Sequence, residues 1–140
     1  MASTYEPIAT TTLANNSTAT ITFSSIPGTY TDLVIVLSNA KYSSGIAQTI
    51  SFTFNNDSAA HYSQSRLYGS GSTATSDAQS SQSSMQCAIQ TIDSTNPTFS
   101  VINVLNYAST TTYKPVLIQE SSDRSGSGYT TRIVGLWAVS

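Results

Sequence analysis

A chain of 140 residues with a net charge of −2 is long enough to bury one core of its own without disulfide or metal staples. Only 9% of its residues are charged, against roughly 25% in an average soluble domain, and the five basic ones, Lys41, Arg66, Lys114, Arg124 and Arg132, are scattered singly. That distribution excludes the basic stripe a nucleic-acid partner needs, and no apolar run approaches the roughly 18 residues of a membrane helix.

Serine and threonine make up about a third of the chain. Such a composition suits either a disordered polar segment or a β-protein whose outward positions carry hydroxyls. Apolar runs recur at regular intervals along the whole length, which selects the second. The single cysteine, Cys87, rules out an intrachain disulfide and reads as a small apolar residue buried in the strand around Ala88 and Ile89. The N-terminus has no basic segment followed by an apolar stretch, so no signal peptide is expected and synthesis is placed in a cytoplasm. The Asn-x-Ser/Thr matches at Asn15, Asn16 and Asn56 are then chance in a hydroxyl-rich chain.

In chain order, residues 1–12 show no clear period and are expected as an extended N-terminal arm. Ala19–Phe23 alternates and is closed by Pro27-Gly28, predicting a strand and a turn. Asp32–Ser38 is apolar on both faces and is expected as a central strand covered on both sides. Thr49–Phe54 places Ile50, Phe52 and Phe54 on one face, and Asn55-Asn56-Asp57 ends it with residues that tolerate turn conformations. Tyr62–Tyr68 reads as a short strand or extended edge. Gly69–Ser84 is the least hydrophobic stretch and reads as a long loop, mobile or ordered against a neighbour. Met85–Ile92, Phe99–Leu105, Tyr113–Gln119 and Thr131–Val139 supply four more strands. About eight strands spaced by roughly 12–18 residues predict an all-β fold in one domain: an antiparallel, jelly-roll-like β-sandwich, with a small β-barrel as the alternative.

Chemistry-bearing residues are few. The only histidine is His61, and no Gly-x-Ser-x-Gly elbow accompanies it, so a turn-stabilising role is expected. Asp57, Asp77, Asp93, Glu120 and Asp123 fall at strand ends and loops, where solvated acids lie. Asn55 with Asp57 offers a hard cation only two ligands. No catalysis, cofactor or metal is expected. Of the aromatic residues, Tyr42, Tyr62, Tyr68, Tyr107, Tyr113 and Tyr129 flank turns and are expected half-exposed. Trp137, in the run Ile133–Trp137, reads as a core or interface anchor.

The phrases Tyr5–Leu13 and Thr22–Leu33 resemble the opening of small virion-associated proteins of tailed phages, notably marine and cyanobacterial ones. Phe54-Asn55-Asn56-Asp57 with His61-Tyr62-Ser63, and Asn106-Tyr107 with Thr111-Thr112-Tyr113-Lys114, are similar too. The likeness spans most of the chain but consists of strand and turn phrases, not catalytic motifs. It implies a β-rich structural protein, carried as a head decoration (cement) protein or on a tail appendage. Proteins of this kind run one or two strands beyond the Gly-Leu-Trp run, whereas this chain stops at Ala138-Val139-Ser140. That departure leads to the expectation of a domain completed differently, or of a sheet edge open to a neighbour.

The expected role is therefore non-enzymatic: a capsid decoration protein located in the virion and binding the major capsid protein or another virion protein. A homo-oligomer, dimer or trimer, is expected, with no nucleic-acid or membrane partner. Contacts are assigned to Tyr5, Pro7 and Ile8 of the arm, to Leu13 and to Trp137. The alternative is a tail-fibre or carbohydrate-binding module that meets a host glycan through loop tyrosines and Trp137.

Overall fold

The two-residue alternation is realised in a computed structural model, which describes residues 5–13, 20–41, 48–92, 94–122 and 128–139. Eight strands appear, and no helix among the described residues: β1 (Leu33–Ala40), β2 (Gln48–Phe52), β3 (Tyr62–Gly69), β4 (Ala74–Gln82), β5 (Met85–Ile92), β6 (Thr98–Val104), β7 (Lys114–Ser122) and β8 (Tyr129–Trp137). They form two antiparallel sheets, a six-stranded one in the order β1-β6-β7-β8-β3-β4 and a two-stranded one, β2-β5. Neither closes on itself, so the fold is a β-sandwich and not the barrel alternative.

One face of the large sheet carries the core. Ile35, Ile102, Ile118 and Ile133 are successive cross-strand partners from β1 to β8, and Leu33, Val104, Val116 and Gly135 form the neighbouring row. β5 lies over these rows and buries Met85, Cys87 and Ala88 against them. Gly135 makes that approach possible, because a Cβ there would lie 2.5 Å from Met85 Sδ. Burial pushes the Cys87 thiol up to about 12, with the charge of Glu120 adding to it, which fits an inert core cysteine.

Toward β3 and β4 the same face becomes polar. Arg66 donates from Nε to Asp77 Oδ1 at 2.6 Å and from a terminal nitrogen to Asp77 Oδ2 at 2.5 Å, and also donates to Gln86 Oε1 on β5. Gln64, 4% exposed, donates to Gln79 Oε1 at 2.8 Å and accepts from the Gln86 N–H at 3.0 Å. The network joins β3, β4 and β5, so hydrogen bonds hold the cover strand where apolar packing fades.

Several expectations need correcting. Thr20–Phe23 is not a strand, and Ala19 lies outside the described residues. Alternation alone makes a strand possible, but a ladder needs a partner, and none is present among the described residues. β1 is an edge strand with Val34 and Val36 exposed, not a central one. The presumed loop 69–84 contains β4, whose core-facing positions are polar because Asp77 and Gln79 serve Arg66 and Gln64. Glu120 is buried on β7, since the two-residue period from Val116 and Ile118 carries it to the inner face. Asp77 is not a solvated loop acid but the partner of Arg66. Tyr62 is fully buried, not half-exposed. Asp93, Asp123 and Tyr42 lie outside the described residues. Ile50, Phe52 and Phe54 share the core-facing side as expected.

Gly135→Ala should destabilise the protein by about 1–3 kcal/mol, the usual cost of overpacking. Met85 is fully buried and has little room to swing away. Urea unfolding followed by Trp137 fluorescence measures the loss.

Candidate functional site

The chemistry-bearing residues gather at one end of the sandwich. Phe54 to Asp57 forms a tight turn, with the Asp57 N–H donating to Phe54 C=O at 2.8 Å. Its two central residues, Asn55 (φ 51°) and Asn56 (φ 57°), are both left-handed. That backbone suits asparagine and not a β-branched residue, which explains the Phe-Asn-Asn-Asp phrase locally. Beneath the turn lies an aromatic cluster: Phe54 stands 5.0 Å from the Trp137 ring centroid, and Tyr62 stacks on Trp137 at 6.4 Å. The Tyr62 hydroxyl donates to Asp57 C=O at 3.0 Å and accepts from the Phe54 N–H at 2.9 Å.

Asp57 ties this end together. Its Oδ2 accepts from Trp137 Nε1 at 2.7 Å and bonds His61 Nδ1 at 2.9 Å, while Oδ1 accepts from the Ala59 N–H at 3.0 Å. The Trp137 bond, then His61, then the Ala59 N–H hold its carboxyl at about 2, below the ordinary 3.8. Lys114, 3% exposed, sits 5.4 Å over the Trp137 ring and donates to Val139 C=O at 2.7 Å.

A shallow, open depression of about 460 Å³ lies here, lined by Asp57, His61, Tyr107, Ser109, Lys114 and Trp137 among others. It gathers a histidine, a carboxylate and a serine, the residue types of acyl transfer. The hydrogen bonds assign them other work. Ser109 Oγ accepts from Thr112 Oγ1 at 2.8 Å and from the N–H groups of Thr111 (3.3 Å) and Thr112 (3.2 Å), folding its own loop. No hydrogen bond joins Ser109 to His61 among the described residues. Asp57 has both oxygens engaged, so a cation at Asn55 and Asp57 would have to displace existing donors.

Neighbouring contacts draw in the other phrases of the sequence. The Tyr107 hydroxyl donates to Pro27 C=O, and the Asn106 N–H donates to Asp32 Oδ1 at 2.8 Å. A hydrogen bond to Glu6 raises the pKa of Tyr30. The phrases around residues 6, 27–32, 54–62, 106–107 and 111–114 are therefore fold-closing elements of one end of the molecule.

Of the residues assigned to an interface, Trp137 is 6% exposed and belongs to the core. Its burial follows from the alternation of β8, which puts it on the same side as Ile133 and Gly135. Tyr5, Pro7, Ile8 and Leu13 lie in an exposed extended stretch, with Tyr5 71% exposed. The reading by residues missed a larger surface, the outward face of the six-stranded sheet. Val36 and Val101 are direct cross-strand partners on it, as are Leu117 and Val134. Leu67 also projects there at 56% exposed, Val134 at 59%. Within these six strands Arg132 is the one charged residue on that side. A shallow groove of about 390 Å³ runs across it, floored by Ser63, Ser65 and Ala78 beside Pro115, Val134 and Leu136. The signal was available in the sequence as apolar residues at positions out of phase with the core, such as Val34, Val36, Leu117 and Val134.

Because the pKa of Asp57 is depressed by folding, its contribution is fully present above 3.8 and is lost as pH falls through about 2. The melting temperature should drop across that window, and Asp57→Asn should lower it at neutral pH while flattening the acid dependence. Thermal melts from pH 5 to pH 2 on both proteins measure this.

No protein-family model matches the chain, and no curated protein or solved structure does either.

Proposed function

We propose that this chain is a non-catalytic structural protein of a phage virion, a decoration subunit that binds the head surface through the outward face of its large sheet. That face carries the reading. Six strands about 4.8 Å apart, each seven to nine residues long at about 3.3 Å per residue, present roughly 700 Å². A standard protein–protein interface buries about 800 Å² on each partner. That face bears exposed Val36, Leu67, Leu117 and Val134 and, within the strands, a single charge. Depletion of charge is one mark of an interface core.

The virion setting comes from the resemblance of the turn and strand phrases to tailed-phage structural proteins. Those phrases close one end of the sandwich, so what they support is a shared architecture. The major capsid protein is the partner this role requires.

The tail-appendage reading with a host glycan draws less support. Sugar stacking needs an exposed ring face, whereas Trp137 is buried, with Lys114 over its ring and Asp57 at its nitrogen.

Purified protein added to particles lacking it should coat the head in electron-microscopy maps. Leu117→Asp and Val134→Asp, which place a charge in the contact, should weaken binding at least about tenfold with an unchanged far-ultraviolet CD spectrum, and His61→Ala should bind as the wild type does. Density confined to the tail, or full binding by both sheet variants, would refute the proposal.

A further inference from the structure

β1 and the stretch before it look like two halves of a strand pair left apart. Among the described residues β1 is hydrogen-bonded on one side only, to β6. From Leu33 to Leu37 its register is regular, the shift being confined to the Leu37–Ala40 end, where Asn39 takes φ 55°. Its sequence, Leu-Val-Ile-Val-Leu-Ser-Asn-Ala, contains no charged residue and no proline, the devices that ordinarily protect a free edge. Its inner side is also incompletely covered. Leu33, Ile35 and Leu37 are half-buried, while their row neighbours Val104 and Ile102 on β6 are 1% exposed.

Thr20-Ile21-Thr22-Phe23-Ser24 has the complementary form. It alternates hydroxyl and apolar residues, Ile21 is 40% and Phe23 41% exposed, and residues 20–26 make no backbone hydrogen bond to any described residue. Downstream, Pro27 and Asp32 are tethered to Tyr107 and Asn106, which fixes the chain's approach to β1 and leaves 20–24 ahead of it unpaired.

We propose that residues 20–24 of one copy add as a strand to the free edge of β1 in a second copy, closing a strand-exchanged homo-oligomer. Added there, Ile21 and Phe23 extend the inner rows beyond Leu33, Ile35 and Leu37, while Thr20, Thr22 and Ser24 continue the outward hydroxyl-bearing side. Two of the other edges, β4 and β2, fit less well. β4 turns Thr75, Asp77 and Gln79 inward, a polar set with no place for Ile21 and Phe23. β2 is five residues long and its pairing is interrupted by two register shifts. A chain that both offers and accepts a strand satisfies every copy when the exchange closes on itself. The inference rests on the assembly reading above only in treating the chain as a subunit, and it does not depend on where the assembly sits.

The test uses the full chain. Light scattering should give a multiple of 14.8 kDa for the wild type, and the single-chain mass for Ile21→Asp with Phe23→Asp. A chain carrying Thr22→Cys, coexpressed with one carrying Val34→Cys or Val36→Cys, should form an interchain disulfide on oxidation; native Cys87 is buried and stays apart. A wild-type mass of one chain, absence of the cross-link in both pairings, or a cross-link that forms only inside one chain bearing both cysteines would overturn the proposal. A single-chain protein that still coats particles defeats strand exchange and leaves the virion role standing. A cross-linked oligomer that ignores particles does the reverse.

Discussion

A mismatch in width governs this molecule. Six strands of the large sheet turn one face toward the core, and two strands, β2 and β5, lie over it. At about 4.8 Å between strands, the cover spans roughly a third of what it must shield. The middle of the face meets the requirement well: Ile102, Ile118, Ile133, Val104 and Val116 are all buried beneath β5. Its flanks cannot be protected in the same way. Each flank has to be polar enough to meet water, or apolar and covered by something else.

The two flanks take opposite routes. On the β3–β4 side, the inward positions are Gln64, Arg66, Asp77 and Gln79, and their bonds reach across to Gln86 on β5. Arg66 is mostly buried and paired in a bidentate fork, so its desolvation is offset by charge-assisted bonds in a fixed geometry. The Arg66 guanidinium keeps the Asp77 carboxyl below its ordinary range, consistent with a working pair. On the β1 side the inward positions are Leu33, Ile35 and Leu37, half-buried with nothing polar among them. A hydrophobic flank left half-open costs free energy in water in proportion to its exposed area. The polar flank is satisfied by its own hydrogen bonds; the apolar flank stays half-exposed.

Legibility in the sequence follows the same division. Strands with apolar residues at every second position, β6, β7 and β8, are readable because their inner side faces the covered middle. β4 is invisible to hydrophobic periodicity, since Asp77 and Gln79 face inward for hydrogen bonding and Ser76, Ala78 and Ser80 face outward. β1 reads as doubly buried because Val34 and Val36 are as apolar as Leu33 and Ile35, yet they line an exposed surface. Local composition cannot separate a covered apolar face from an exposed one, as the residue types are the same. Thr20–Phe23, the described part of the expected Ala19–Phe23 strand, is misjudged for a related reason: its pattern suits a strand, but a strand exists only with a neighbour.

The Asp57 cluster joins a histidine, a carboxylate and a tryptophan at one end of the fold. A histidine held at Nδ1 by a carboxylate is the geometry that leaves Nε2 available as a base, and His61 is exposed and so arranged. In a hydrolase such a carboxylate serves the histidine first. Here its shortest bond, 2.7 Å, goes to Trp137 on β8, and its other oxygen caps the Ala59 N–H of its own turn. Replacing His61 would leave those two bonds intact, whereas losing Asp57 would strand a buried indole N–H and loosen the turn over Phe54 and Tyr62. The order of dependence therefore runs from the turn to the tryptophan and only then to the histidine, which is the order expected of a staple across the open end of a sandwich.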